Sequence, residues 1–173
     1  MKPAKFEFHA ARTVDEAVAI LDRYGEDARI LAGGQSLVPL MNFRVLQPRA
    51  LVSINHCPGS VFIRRGEEGL EIGAGTRQIT AETSGDVKDL CPLLFAALPW
   101  VGGIANRNRG TVCGSLAHAD PLAELPAVAA ALDAQFLIRR VGGSRRVAAQ
   151  DFFVADLTTS MKPGEMLESV SFP

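Results

Sequence analysis

Two short stretches of this 173-residue chain carry residues suited to one kind of chemistry, the binding of an oxyanion. The first is Thr111-Val112-Cys113-Gly114-Ser115, within a glycine-punctuated segment from Arg107 to Pro121 that reads as a loop. Glycine lets backbone N–H groups approach a phosphate, and the Thr111 and Ser115 hydroxyls add donors beside them. The second is Ala32-Gly33-Gly34-Gln35-Ser36-Leu37, far upstream. There a double glycine between a strand and a helix can serve the same end, or only the geometry of the turn. Two such stretches point to a diphosphate held between two lobes, and so to a dinucleotide. Arg107 and Arg109 can add charge or lie solvated at the surface. Glu124 can accept from ribose hydroxyls, as acidic residues do at other dinucleotide sites, or can simply favour a helix start.

Other chemistries fit less well. Residues 33–36 form neither Gly-x-Gly-x-x-Gly nor the Gly-Lys-Ser/Thr end of a P-loop. Gly73-Ala74-Gly75 follows a strand as a Rossmann loop would, but Gln78 takes the third glycine position, so a strand-end turn with Thr76 as N-cap is the better reading. Ser115, His118 and Asp120 lie within one segment and lack a Gly-x-Ser-x-Gly elbow, which argues against a nucleophilic triad. Cys113 has no basic neighbour in sequence except Arg109 and reads as structural. Cys57, Cys91 and Cys113 are too few and too scattered for an iron–sulfur cluster, and they make no zinc pattern with His9, His56 and His118.

The elements that must position these residues fall into two groups. A strand at 6–9, a helix opened by the capping box Thr13-Val14-Asp15-Glu16 and closed by Gly25, a strand at 29–32, a helix at 36–43 and a strand at 51–54 give the β-α-β-α-β order of a small parallel sheet. Strands at 61–64 and 70–73 around Gly66-Glu67-Glu68-Gly69 read as a hairpin. Helical stretches at 76–83 and 87–98, the latter interrupted by Pro92, come next. A helix then runs toward Leu132, starting at Asp120-Pro121 or at Glu124-Leu125-Pro126. A hairpin around Gly142-Gly143 and a strand at 168–172 complete an antiparallel sheet. The fold class expected is α+β, with lobes at residues 1–57 and 58–173.

Composition narrows the function. Eighteen Lys+Arg against nineteen Asp+Glu give a net charge of −1, which speaks against a nucleic-acid partner. No apolar run is long enough to span a membrane, and no apolar segment of signal-peptide type follows Met1-Lys2-Pro3. Three scattered cysteines suit a reducing, cytoplasmic setting.

Taken together, the segments resemble the FAD-binding medium subunit of molybdenum hydroxylases, the group of aerobic carbon monoxide dehydrogenase and xanthine dehydrogenase. That family carries Ala-Gly-Gly-His-Ser and Thr-x-Gly-Gly-Asn/Ser segments, both of which hold the FAD pyrophosphate. Here they stand as Ala32-Gly33-Gly34-Gln35-Ser36 and Thr111-Val112-Cys113-Gly114-Ser115. The resemblance runs on through Leu116-Ala117-His118-Ala119-Asp120-Pro121 to Glu124-Leu125-Pro126. It returns at Met161-Lys162-Pro163-Gly164-Glu165, where the family has Leu-x-Pro-Gly-Glu. It implies two lobes with FAD in the cleft between them, Glu124 as the ribose-binding carboxylate, and Val101 and Met161 flanking the adenine. It also implies a molybdopterin-containing large subunit that oxidises substrate, a 2Fe-2S small subunit, and electron flow through FAD to an external acceptor. No catalytic acid or base is expected, because the flavin carries the chemistry.

Three departures stand out. Gln35 replaces a histidine. Cys113 replaces a glycine, at a strain of about 1–2 kcal/mol if that position needs a positive φ. Family members continue past Pro173 into a further domain of about a hundred residues, a usual domain size, so weak FAD retention is expected. The alternative function is a truncated, non-catalytic or assembly module that keeps the fold and binds little or no FAD.

Overall fold

The computed structural model describes residues 1–66 and 69–173. Strands β1 (Glu7–Ala10), β2 (Ala28–Leu31) and β3 (Ala50–Ser53) form a parallel sheet in the order β1-β3-β2. All four residues of the central β3 are buried, as expected of a strand covered on both faces. Helix α1 (Val14–Tyr24) links β1 to β2. Thr13 caps it by accepting from Glu16 N–H at 3.1 Å, but the Glu16 carboxylate reaches back to Arg12 N–H at 2.8 Å, one residue beyond the usual partner in a capping box. Helix α2 (Leu37–Asn42) follows the double glycine.

The second sheet contains β4 (Ile63–Gly66), β5 (Gly69–Gly73), β6 (Gln135–Arg140) and β7 (Gly143–Ala148). A short ribbon of β8 (Phe153–Ala155) and β9 (Thr158–Thr159) precedes its last strand, β10 (Met166–Phe172). The sheet is antiparallel in the order β4-β5-β10-β6-β7, so the final strand is the central one. The turn assigned to residues 66–69 includes Glu67 and Glu68, which lie outside the described residues.

Helices α3 (Gln78–Glu82), α4 (Gly85–Leu90), α5 (Pro92–Ala97), α6 (Ile104–Arg109), α7 (Val112–His118) and α8 (Glu124–Ala131) lie between β5 and β6. A further turn of helix, α9 (Ala149–Phe152), follows β7. Pro92 does divide one helical stretch into α4 and α5, and α8 takes the later of its two possible starts.

One contiguous cluster of buried residues draws on both sheets. Helix α1 is the joint: it packs on β2 and β3 and also on β6, and Asp15 meets the Arg139 guanidinium at 2.7 Å. Under β6, Phe136 stacks on Phe152 with ring centroids 3.9 Å apart, and Phe153 meets both edge-on. The two sheets therefore share a packed interior, and a cleft between their ends inherits its stiffness.

Two sequence expectations are corrected. The segment 107–121 is mostly helix: α6 and α7 meet at Gly110, because Val112, Cys113 and Leu116 form a buried face and Thr111 caps it. Thr76 is not an N-cap, since Arg77 takes that place. The Thr76 hydroxyl is buried, donating to Phe62 O at 2.9 Å and accepting from Phe62 N–H at 3.1 Å. Glycine is needed at 73 and 75 because residues 60–62 lie across them. A Cβ on Gly73 would overlap Ser60 O, and one on Gly75 would sit 2.6 Å from Ser60 Oγ.

Candidate dinucleotide site

The first glycine stretch meets the Arg109–Gly110 junction that leads into the second, while residues 111–115 themselves do not line the cleft there. A Cβ on Gly33 would lie 2.5 Å from Arg109 O and 2.7 Å from Gly110 Cα, so only glycine permits this backbone-on-backbone contact. Beside it, Asn106 Nδ2 on α6 donates to Gln35 Oε1 at 3.2 Å. Gly34 adopts the left-handed region at φ +74° and turns the chain from β2 into α2. The resulting cleft, about 360 Å³, is lined by residues 31–35, Val38, Pro39, Asn55 and Arg109.

The hydrogen-bond inventory separates the two stretches. Among the described residues, the backbone N–H groups of Gly33, Gly34, Gln35 and Ser36 meet no acceptor. Four successive open donors in a half-buried turn form a concave anion-binding array. The start of α7 is more self-contained. Val112 N–H donates to Thr76 O at 3.1 Å, Gly114 N–H to Thr111 Oγ1 at 3.0 Å and Ser115 N–H to Thr111 O at 3.2 Å. Thr111 is buried, which leaves the partly exposed Ser115 hydroxyl and the helix's N-terminal dipole as the donors there.

Cys113 contributes backbone only. Its side chain is buried, with Sγ 3.5 Å from Ile72 O, and burial pushes the thiol up to about 12. Its φ is not positive, so the strain considered for a residue replacing glycine does not arise.

The basic residues sort differently from the sequence reading. Arg107 is buried and acts as a strut: Nε meets Glu82 Oε2 at 2.6 Å, and Nη1 donates to Gly102 O at 2.9 Å and Val101 O at 3.3 Å. Arg109 is exposed at the cleft wall. The sequence reading passed over Arg77, whose guanidinium donates to Ala32 O, Asn55 Oδ1 and Arg109 O. Neither Arg77 nor Arg109 has a carboxylate within ion-pair distance among the described residues. Burial, and then the Arg109 charge, depress the Arg77 pKa, so this wall is electropositive and uncompensated. Asn55 and Asn106 were likewise not singled out, since an exposed asparagine has no sequence pattern that marks it.

The outlying residues are placed as follows. Leu37 begins α2, and half-buried Val101 sits ahead of α6, tied there by Arg107. Glu124 opens α8, half-buried in its first turn. Met161 packs against the core after β9, and its segment is joined to the end of α7 by Leu157 N–H donating to Ala119 O at 2.9 Å. Arg145 holds that segment by pairing with Glu165 at 2.7 Å, while Glu165 also accepts from Lys162 N–H at 2.8 Å. Asp120 is spent on its own turn, accepting from Leu122 N–H at 2.9 Å. A separate depression of about 440 Å³ between α1 and the β6–β7 turn contains none of these residues.

The open amide turn, the abutting α6–α7 junction and the uncompensated cations suit the diphosphate of a dinucleotide. Comparison with known proteins bears on the cofactor and the family. A family model described as the FAD binding domain in molybdopterin dehydrogenase matches residues 4–173. The 6-hydroxypseudooxynicotine dehydrogenase complex subunit alpha of Paenarthrobacter nicotinovorans is 43% identical over 173 residues, all of this chain and 58% of that protein. The carbon monoxide dehydrogenase medium chain of Hydrogenophaga pseudoflava is 38% identical over all of this chain and 60% of its own length. The solved structure of carbon monoxide dehydrogenase from that organism superposes with a TM-score of 0.96, covering 100% of this chain and 60% of that one. Quinoline 2-oxidoreductase from Pseudomonas putida 86 also superposes at 0.96, with 38% identity and the same coverage. The chain thus spans about three fifths of the length of these relatives. Matched along nearly its whole length, it belongs to the FAD binding domain family of molybdopterin dehydrogenases, and its cofactor is FAD.

Proposed function

We propose that this chain is the FAD-holding, electron-transferring component of a molybdenum-containing hydroxylase or dehydrogenase, an oxidoreductase subunit that is not catalytically complete alone. The observation that carries the reading is the set of four unpartnered amides at residues 33–36, pressed by Gly33 against the α6–α7 junction. In this reading the halves 1–57 and 58–173 each supply one gripping stretch. Residues 32–37 and 111–115 hold the diphosphate, Glu124 accepts from the ribose, and Val101 and Met161 flank the adenine.

The flavin, when bound, supplies the electron chemistry, accepting and passing on one or two electrons. The protein's part is to bind, orient and tune. The amides of residues 33–36 point fixed dipoles at the diphosphate, and Arg77 and Arg109 add positive charge without a competing carboxylate. No side chain here is assigned proton transfer. The partners proposed are a molybdopterin-bearing large chain, which the family description and the relatives' names as subunits suggest, and a 2Fe-2S small chain, which the family resemblance implies. No helix is long and apolar enough to cross a membrane among the described residues, and a cytoplasmic setting is proposed with the rest.

Titration with FAD tests the reading, followed by flavin absorbance and by emission of Trp100, which is the only tryptophan and is largely exposed ahead of α6. Saturable binding with quenching is expected. Ser115→Asp is the discriminating variant. An aspartate in the first turn of a helix favours folding, yet here its charge would oppose a diphosphate. Loss of FAD with an unchanged melting temperature supports the site. Equal binding by this variant refutes the phosphate assignment, and no binding by the wild type returns the assembly-module reading.

A further inference from the structure

We infer that Arg77 is the positioning residue that sets the width and the donor direction of the dinucleotide cleft, acting through the backbones of both gripping stretches. Its relevance to FAD rests on the function proposed above, whereas its role as a clamp stands on the contacts alone.

Arg77 holds the second stretch by its main chain, and by its side chain the first stretch and the end of α6 just ahead of the second. Residues Arg77 and Thr111 form an antiparallel bridge. Around it, Gln78 N–H donates to Gly110 O at 2.9 Å and Val112 N–H donates to Thr76 O at 3.1 Å. Position 77 is therefore stapled to the α6–α7 junction whatever its side chain. From that fixed base the guanidinium reaches Arg109 O on its own side of the cleft, and Ala32 O and Asn55 Oδ1 on the other. Asn55 is itself anchored, donating from Nδ2 to Ser53 Oγ at 3.0 Å and Leu31 O at 3.5 Å. One side chain thus links the ends of β2 and β3 to the junction of α6 and α7. Three diverging acceptors require the planar fork of arginine, because a lysine ammonium is a single point on a flexible stem.

The clamp also aims donors. A trans peptide plane points its C=O and N–H in opposite directions. With Ala32 O turned to Arg77, the Gly33 N–H must point away from it, and Gly33 begins the run of open amides that lines the cleft. The same rule at Arg109 sends the Gly110 N–H to Asn106 O, at 2.6 Å, which closes α6. All three acceptors are neutral oxygens, so the grip leaves the positive charge uncancelled beside the anion site.

The test compares Arg77→Met, Arg77→Lys, Asn55→Ala and the double variant Arg77→Met with Asn55→Ala. It uses FAD titration together with amide hydrogen exchange on the ligand-free protein. Arg77→Met should weaken FAD about tenfold or more, and Arg77→Lys, which keeps the charge, should recover less than half of that factor. The double variant should bind no worse than Arg77→Met, since Asn55 acts through Arg77. In the ligand-free protein, exchange at Ile54 and Gly110 should quicken in Arg77→Met, while Gln78 and Val112, held by main-chain bonds, and the β5 and β6 amides keep their wild-type rates. Wild-type exchange at Ile54 and Gly110 in Arg77→Met overturns the clamp even if FAD never binds. So does uniform loosening across both sheets, or full rescue by lysine. If Arg77→Met fails to fold, Asn55→Ala read by the same exchange decides, with unchanged rates at Ile54 and Gly110 counting against the inference.

Discussion

Replacing Gly33 by alanine is the sharpest probe of how the two stretches meet. Gly33 does not have a positive φ, so alanine suits the backbone and the perturbation is purely steric. Its Cβ would arrive 2.5 Å from Arg109 O and 2.7 Å from Gly110 Cα, both main-chain atoms that cannot rotate aside. Restoring ordinary contact, near 3.4 Å, requires the stretches to separate by about 0.9 Å. The 3.5 Å hydrogen bond from Arg77 to Ala32 O does not survive that shift, and the 3.2 Å bond between Asn106 and Gln35 is strained. Overpacking of this kind costs about 1–3 kcal/mol. Alanine also restricts the unfolded chain, which returns about 0.4–1 kcal/mol. The net destabilisation spans about 0–2.6 kcal/mol and centres on about 1.3 kcal/mol, or a fall in Tm of about 3–5 °C at that centre for a protein of this size. Misaligning one or two amides that bond a charged group costs about 1.5–3 kcal/mol each, so FAD affinity should fall at least tenfold. Differential scanning fluorimetry and flavin titration read the two effects. Gly85→Ala is the control, since a Cβ there meets nothing within 4 Å and its stability and binding should match the wild type or exceed it. A Gly33→Ala protein with wild-type Tm and FAD affinity within twofold would refute the argument that these backbones touch.

Thr111→Ala removes the cap on Gly114 N–H and should cost about 1 kcal/mol, whereas Thr111→Ser keeps most of the stability, by thermal melts. All three thiols are free and buried, so a thiol reagent should label none in the native protein and three after denaturation. Burial raises the Cys113 pKa from 9.0 to about 12, so the unfolded chain ionises first and stability should fall as pH rises from 9 toward 12. The slope from this group is at most about 1.4 kcal/mol per pH unit, and Cys113→Ala should abolish that share of it in alkaline denaturant melts. Burial pushes the Glu165 carboxyl up, but its bonds to Arg145 and Lys162 N–H together outweigh that and hold it below 4.5. The stabilisation from Glu165 is thus present above pH 4.5 and lost as pH falls through its lowered value. Arg145→Met strands Glu165 and should cost about 2 kcal/mol at pH 7, less than a fully buried pair because Arg145 is partly exposed. The deficit should shrink below pH 4.5, and a constant deficit across pH melts would contradict this account.

Much of the fold was legible from local signals because their physics is local. The capping box at Thr13, the stop at Gly25, the break at Pro92 and the hairpin at Gly142-Gly143 depend on residues within one or two turns of each other. The parallel and antiparallel sheets followed from connection length. The helix α7 was missed although Val112, Cys113 and Leu116 have helical spacing, because the flanking glycines read as a loop. Its true boundary depends on the Thr111 cap and on burial against β5 and β10, which spacing alone does not weigh.

The residue types by themselves determined that two stretches could bind an anion, and that each needed glycine. Which donors are open, and what holds the stretches together, was decided only by the tertiary structure. The amides of residues 33–36 are left without acceptors while those opening α7 are largely taken, a difference set by Thr76 and Thr111 as partners. Arg107 and Arg77 are both arginines near the cleft, yet Glu82 makes one a buried strut while Ala32, Asn55 and Arg109 make the other a bridge. A side chain's role at a site depends on acceptors brought from distant segments, and only the packed fold brings them together.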